Sequence, residues 1–390
     1  MRDILFLAHR VPYPPDRGDK IRSYQVLRYL AARARVHLVA FADDPADCQA
    51  HPHLRELIAS CTIVPRRKGR VRATLEALAS GLPVSLTAFD HPAMHAAMAA
   101  APRTDATYCF SGQMAQYLPA RTPAVMDFCD VDSAKFAQQA ATAALPLRPL
   151  LRREARLLGR FECAVAARVT ASLFVTASEA ALFRSTGGSG RIEVVENGID
   201  ARFFDPAASF ETVDRAGQLI VFTGQMDYQP NVDAVTLFAR EVLPAVRARR
   251  PAARFAIVGR APTPAVHALA KLPGVLVTGA VPDVRGWLAA AQVCVAPLQL
   301  ARGIQNKVLE AMAMARPVIA SPGAAEGIDH AGTIAVADGA EDWIEQVCAA
   351  LDGAGQGGAA RAQVIARYDW RARLQPLDAL LGLPAERVAA

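Results

Sequence analysis

The sequence predicts an α/β protein built as two successive doubly wound halves. Three observations carry this: short apolar runs recur along the chain, helix-like segments separate most of them, and the alternation restarts near the middle. Continuous apolar runs of this length are what parallel strands need when both faces of their sheet are covered. Strand–helix–strand spacing implies crossover connections, and hence a parallel sheet with helices on its faces.

The first run is "DILFLAH", followed by a loop, "RVPYPPDRGDK", and a helical pattern, "IRSYQVLRYLAARA". "VHLVAFADD" completes the first strand–helix–strand unit. The rhythm continues through "CTIVP", "ATYCF", "PAVMDFCD" and "ASLFVTAS" and closes at "RIEVVENGID". After "FETVDRAG" it restarts as "QLIVFTG", a helix from about Asn231, "ARFAIVG", "GVLVTG", "QVCVAPL", "PVIASP" and "TIAVAD", and the tail reads as helices. The expected division is residues 1–198, residues 199–365, and a C-terminal helix, 366–390, packed back on the first domain. A ligand is expected in the cleft between the halves, beyond the carboxyl ends of the strands.

Composition narrows the function classes. Of 390 residues 52% are apolar and 21% charged, which fits a folded globular chain and excludes disorder. A net charge of +6 suits an anionic ligand or a membrane surface and is too weak to argue for nucleic acid. The seven cysteines are odd in number, form no CxxC and sit mostly in apolar runs, so they read as buried hydrophobes in a reducing compartment. Only five apolar residues in a row precede His9, too few for a signal-peptide core, and no window reaches the ~20 of a spanning helix. The expected location is the cytoplasm, with contact at the inner face of the membrane.

The stretch "GIQNKVLEAMAMARPVIAS" concentrates polar chemistry at the mouth of an otherwise apolar helix. It follows a strand ending near Pro297, with Gly303 and Ile304 in the loop and Gln305 or Asn306 as cap. Unpaired N–H groups and the dipole at such a terminus receive phosphate oxygens. Lys307 places a cation in the first turn, where it is unfavourable to the helix itself and would be offset by a diphosphate. Glu310, one turn in, can accept from two vicinal hydroxyls, as carboxylates bind ribose in dinucleotide folds. The competing account is an ordinary capped helix with a solvated lysine.

This stretch, with "VVENGID", "VFTGQMDYQPNVDAVTLFAREVLPAVRARRPAARFAIVGRAP" and "VTGAVPDVRGWLAAAQVCVAPL", resembles the nucleotide-sugar half of the retaining family 4 glycosyltransferases, whose GT-B fold has two Rossmann-like domains facing each other across a cleft. "HRVPYPPDRGDKIRSYQVLRYL" and "MDFCDVDSAKF" look like a narrower branch, associated with the PEP-CTERM/exosortase exopolysaccharide system. The resemblance implies a nucleotide-diphosphate sugar as co-substrate and no cofactor or metal. It assigns the ribose to Glu310, the second of two family glutamates; the first falls at Arg302 and is absent. Arg302 could instead pair with phosphate or an acidic sugar, or lie in solvent. Many relatives carry Arg and Lys in the "FTGQMDYQPN" loop, where this chain has Gln225 and Asn231; Gly224 still allows close backbone approach, and positive charge is expected from Lys307, Arg302 or Arg260. "ENGID" resembles the interdomain hinge, with Gly198 as a flexible or left-handed residue, and Glu326 in "SPGAAEGI" is a candidate for the donor pocket.

In the first half the resemblance aligns "VPYPPDRGDKIR" with a loop facing donor phosphates and acceptor. Gly18 would admit the backbone, beside Asp19 and the cations Arg17, Lys20 and Arg22; a proline-stiffened turn explains the same residues. Asp127, Asp130 and Asp132 end a strand. One of them, with Asp130 as candidate, could act as a base toward an acceptor hydroxyl or orient a sugar, the three together could hold a divalent ion, and Asp132 and Ser133 could cap the next helix. At the position of a family histidine stands "CFSGQM", leaving Ser111 and Gln113. His91 and His95 lack the Glu of a zinc motif and read as a surface pair, and His9 either faces the cleft or is buried. Residues 145–169 hold six Arg against two Glu, as either a basic amphipathic helix at anionic lipid or a domain helix with a solvated face.

The expected function is transfer of a sugar from a nucleotide-diphosphate donor to a hydroxyl of a lipid-linked or growing exopolysaccharide glycan. A nucleotide-sugar epimerase and a non-catalytic sugar-nucleotide-binding protein remain open on the same fold.

Overall fold

The computed structural model describes residues 2–15, 17–49, 51–213, 217–299 and 304–384. The chain forms two compact units, one running to Glu196 and resuming at Arg373, the other spanning Asn197–Ala372. The division thus falls after Glu196 rather than Gly198, and residues 366–372 stay with the second unit.

The first unit is built on seven parallel strands: β1 Asp3–Ala8, β2 Arg35–Ala42, β3 Ser60–Pro65, β4 Ala106–Phe110, β5 Ala124–Cys129, β6 Ala171–Phe174 and β7 Ile192–Val194. Their order is β3-β2-β1-β4-β5-β6-β7. Central β1 pairs Ile4 with Val36 on one side and Ala106 on the other, and Ile4 through Ala8 are all buried, which is why the run carries no polar residue. The chain returns to this unit at its end. Arg2 donates to the carbonyl of Leu381 at 2.7 Å, and Arg33 lies 3.5 Å from Asp378, on the helix Pro376–Leu381.

The second unit holds six parallel strands: β8 Gln218–Thr223, β9 Ala253–Val258, β10 Val275–Gly279, β11 Val293–Ala296, β12 Val318–Ala320 and β13 Ala335–Val336. The order β10-β9-β8-β11-β12-β13 reverses direction between β8 and β11. Such a reversal opens a crevice between the helices that follow the two strands, at their carboxyl ends. Those helices begin at Gln229 and Asn306.

Two expectations change in this frame. Gly198 does not adopt a positive φ. A Cβ there would sit 2.6 Å from the Tyr368 carbonyl oxygen and 3.0 Å from the Trp370 Cα, so the glycine is required by close backbone packing. The basic segment forms a helix, Arg148–Ala166, that buries Glu154, Leu158, Glu162, Val165 and Ala166 and leaves Arg152, Arg156 and Arg160 exposed, with Arg148 and Arg153 half-buried. No helix among the described residues is long and apolar enough to cross a membrane.

Candidate functional site

The second unit gathers its polar side chains at the strand-order reversal. β8 ends at Thr223, and Gly224 continues the chain with its N–H bonded to the Val258 carbonyl at 3.0 Å. Gly259, at the end of β9, lies so close that a Cβ on it would meet the Gly224 oxygen at 1.6 Å. The paired glycines let the two strand-end loops touch through backbone alone. Met226 N–H donates to the Arg260 carbonyl at 2.9 Å, and Arg260 Nη2 donates to Gln225 Oε1 at 3.2 Å.

Asn231, in the first turn of the helix after β8, is nearly fully buried and donates through Nδ2 to the Gln225 carbonyl at 2.8 Å. Its Oδ1 accepts from Lys307 Nζ at 2.5 Å. Lys307 comes from the other wall of the crevice, the helix Asn306–Ala313, and its ammonium lies 4.1 Å from the centroid of the buried Phe222 ring. A Cβ on Gly224 would stand 2.8 Å from Asn231 Nδ2 and 3.2 Å from Lys307 Nζ. The loop and helix start at 224–231 and the helix start at Lys307, 76 positions beyond Asn231, therefore converge on one point.

Gln305 is the N-cap of the Asn306–Ala313 helix, in extended conformation, and no side-chain oxygen caps its first turn. The turn keeps its positive end for an acceptor from outside the helix. Burial pulls Lys307 down to about 7, opposed by the charge of Glu310. Burial likewise pushes Glu310 up to about 7, opposed by Lys307. Among the described residues the Glu310 carboxylate has no hydrogen-bond or ion-pair partner. A half-buried anion and cation, each short of compensation, make a site suited to a polar anionic ligand with hydroxyl groups.

Ile304 packs against the core of the unit, and Asn306 is half-buried at the helix start. Glu326 is exposed beyond the carboxyl end of β12, after a short turn capped by Ser321, whose Oγ accepts from Ala324 N–H at 3.3 Å. Arg302 and Gly303 lie outside the described residues.

The first unit corrects several sequence expectations. Gly18 begins the helix Gly18–Ala31, and a Cβ there would meet nothing within 4 Å, so the position is open. Asp19 accepts from His9 Nε2 at 3.1 Å and Arg10 Nη1 at 2.5 Å. Burial would raise its pKa, but these two partners outweigh burial and hold it well below the usual carboxylate range.

Lys20, expected at a ligand, is buried and bonded to Asp47 at 2.9 Å. Arg22 and Asp127, also expected there, are buried against each other. Arg22 Nε donates to Asp127 Oδ2 at 2.8 Å, Nη1 to the Val195 carbonyl at 2.8 Å, and Tyr108 Oη to the same carboxylate. Arg22, on the helix Gly18–Ala31, reaches Asp127 on β5, and each buried charge is tolerable only because the other neutralises it. Both are framework residues.

Asp130 remains partly exposed and, with Asp132, binds Lys135 at 2.8 and 3.1 Å. The cap expected of Asp132 and Ser133 is not made. Val131 is the N-cap and donates its N–H to Glu179, while Ser133 donates its N–H and Oγ to the buried Glu162. Burial pushes Glu162 up to about 7, against those hydrogen bonds. Its role was not legible, because in sequence it is one more acid on a basic amphipathic helix. Ser111 donates to Gln113 at the end of β4, and His9 stacks on Phe110 with ring centroids 5.6 Å apart. Among the described residues no three His, Cys, Asp or Glu side chains gather as metal ligands.

Residues 217–353 match the family model described as glycosyl transferases group 1. No curated protein sequence matches the chain. Among solved structures, sucrose-phosphate synthase from Thermosynechococcus elongatus is 19% identical with a TM-score of 0.66, over 97% of this chain and 98% of that one. Anabaena HepE in complex with UDP and glucose is 15% identical with a TM-score of 0.64, over 98% and 100%. WaaG, a glycosyltransferase involved in lipopolysaccharide biosynthesis, is 17% identical with a TM-score of 0.67, over 97% and 100%. The chain has the GT-B fold of two Rossmann-like domains.

Proposed function

We propose that the chain is a glycosyltransferase that takes its sugar from a nucleotide-diphosphate donor held in the second unit. The observation that carries this is the convergence of Gly224, Asn231, Lys307 and the uncapped Asn306–Ala313 helix at the reversal of strand order. The match of residues 217–353 to glycosyl transferases group 1 supports it, as does the likeness in fold to proteins solved with UDP or UDP-sugars.

In this reading the donor diphosphate accepts hydrogen bonds from the first N–H groups of the helix and from Lys307, and Glu310 accepts from the ribose hydroxyls. Transfer breaks the bond between the anomeric carbon and the diphosphate oxygen and forms one to the acceptor oxygen, whose proton leaves. Charge grows on the departing diphosphate, where the fixed helix dipole and the Lys307 ammonium stabilise it without reorganising. The resemblance implies no metal or cofactor in this step. We assign the acceptor to a hydroxyl of a lipid-linked or growing exopolysaccharide glycan, with retention of anomeric configuration and Asp130 as candidate base. The acceptor rests on the resemblance of "HRVPYPPDRGDKIRSYQVLRYL" and "MDFCDVDSAKF", retention on the resemblance to the wider family, and the base on the place of Asp130 just past the end of β5.

The test is binding of UDP-, GDP-, ADP- and dTDP-sugars to wild type and Glu310→Ala, followed by turnover on glycan acceptors. One nucleotide class should bind, and the variant should lose ribose-dependent affinity. Equal binding by both proteins removes Glu310 from the site. Epimerised donor without acceptor supports the epimerase, and tight binding without turnover the non-catalytic alternative.

A further inference from the structure

After its first residue, β2 is apolar at every position but one, His37. The imidazole is 6% exposed, and a ring with two polar nitrogens is costly there unless both are bonded. Both nitrogens are bonded. Nε2 lies 2.9 Å from Asp3 Oδ1, at the start of β1, and Nδ1 lies 2.8 Å from Ser60 Oγ, at the start of β3. Parallel pairing brings the three side chains together at the amino ends of neighbouring strands, with Asp3 opposite Arg35 and His37 opposite Ser60.

The carboxylate fixes which group donates to which. The bond from His37 holds the Asp3 carboxyl below its usual value, opposed by burial and helped by Arg35, 3.6 Å from the same oxygen. Asp3 is thus ionised and accepts only. In the neutral ring Nε2 then carries the proton and donates it to Asp3, which leaves a lone pair on Nδ1. Ser60 donates its O–H to that lone pair. A hydroxyl bonded to a histidine that a carboxylate orients is an activated nucleophile, here with the two ring nitrogens in exchanged roles. The competing account is a buried histidine that these bonds merely satisfy, and exposure separates the two. Ser60 is exposed, and its hydroxyl has no partner but His37 among the described residues. β3 is also the outermost strand of the sheet, and Ala59 turns its N–H to the Val36 carbonyl at 2.8 Å. By alternation along the strand, the Ser60 N–H points to the open edge, a backbone donor for the oxygen of a tetrahedral intermediate.

We propose that Ser60 is a nucleophile, with His37 as its base and Asp3 as the positioning carboxylate, and that the first unit carries an acyl-transfer activity toward small activated esters at the amino end of its sheet. Ser60 Oγ attacks the ester carbonyl carbon while its proton passes to His37 Nδ1. The bond from that carbon to the leaving oxygen breaks, and the alcohol departs with the proton. Water, giving a proton to the same nitrogen, then cleaves the Ser60 ester; the carboxylic acid leaves and the serine oxygen takes the proton back. An exposed serine on an edge strand suits a short acyl group with a good leaving group rather than a substrate that must be enclosed. The activity is independent of whether the second unit takes a nucleotide-sugar.

The experiment treats the full chain with a fluorophosphonate, which loses fluoride to an activated serine, and locates the adduct by peptide mass spectrometry. Hydrolysis of p-nitrophenyl acetate is followed alongside. The proteins are wild type, Ser60→Ala, His37→Gln and Asp3→Asn. Wild type should carry the adduct on Ser60, and Ser60→Ala should lose it with most of the ester hydrolysis above the uncatalysed rate. Asp3→Asn keeps a hydrogen-bond partner for Nε2 and removes the charge that stabilises the imidazolium. Labelling of Ser60 should therefore slow by about tenfold or more at a nearly unchanged melting temperature. His37→Gln should abolish labelling, and Asp3→Asn keeps the test valid should that buried substitution unfold the chain. Absence of an adduct on Ser60 in wild type, equal labelling of wild type and Asp3→Asn, or equal ester hydrolysis by wild type and Ser60→Ala overturns the proposal.

Discussion

Lys307 Nζ donates to Asn231 Oδ1 at 2.5 Å, joining the two helices that flank the reversal of strand order in the second sheet. The bond holds the ammonium back against β8, over Phe222, rather than letting it extend into solvent. The lysine is thereby pre-positioned and only partly compensated, and most of the behaviour expected of the site follows from that.

Donor binding should take up a proton at Lys307. Burial holds Lys307 at about 7 in the empty site, and a diphosphate beside it raises that value again. At Lys307 the complex then binds more protons than the free protein above pH 7. Glu310, also at about 7, sheds one when it accepts from the ribose. The uptake and the fall of affinity with rising pH are therefore read in Glu310→Ala, where only the lysine of this pair titrates. The diphosphate of a nucleotide-sugar is a diester and does not itself titrate in this range. Calorimetric titration in buffers of different ionisation enthalpy should show the uptake, and Lys307→Ala should abolish it.

Glu310→Ala should weaken nucleotide-sugar binding by about tenfold to a hundredfold, the range for losing hydrogen bonds to a charged acceptor. The loss should be specific to ribose. A 2′-deoxyribose donor, already short of one hydroxyl, should lose clearly less affinity on the same substitution, as read by titration of both donors against both proteins.

The two glycines at the strand ends should respond differently to alanine. At Gly224 the new methyl meets side-chain atoms of Asn231 and Lys307, which can move, so stability should drop by about 1–2 kcal/mol while donor affinity falls about tenfold or more. At Gly259 the methyl would lie 1.6 Å from a backbone oxygen that cannot yield, and the loss should exceed about 3 kcal/mol. Denaturant unfolding alongside donor titration separates the two cases.

Asp127→Ala should be a stability mutation. It leaves the Arg22 guanidinium buried without its anion, an uncompensated charge that costs about 3–5 kcal/mol. Donor affinity per folded molecule should stay at the wild-type value. A variant that melts normally yet fails to turn over acceptor would return Asp127 to the reaction.

The apolar runs read from the sequence, from "DILFLAH" to "TIAVAD", each contain one of the thirteen strands among the described residues. They were legible because a parallel strand covered on both faces must be apolar at every position, and that requirement is written locally. The helix mouth at Asn306–Glu310 was legible for a similar reason, since its polar cluster breaks an apolar pattern within two turns. Partner choice was not. Arg22 finds Asp127 across 105 positions and Lys307 finds Asn231 across 76. A basic residue one turn into a helix reads the same whether its face meets a ligand or a buried carboxylate. The contacts of His37 were hidden likewise, because one histidine inside an apolar run names neither Asp3 nor Ser60, 34 and 23 positions away. Residue type determined which positions could carry charge or grease; the topology of the two sheets decided what each would face.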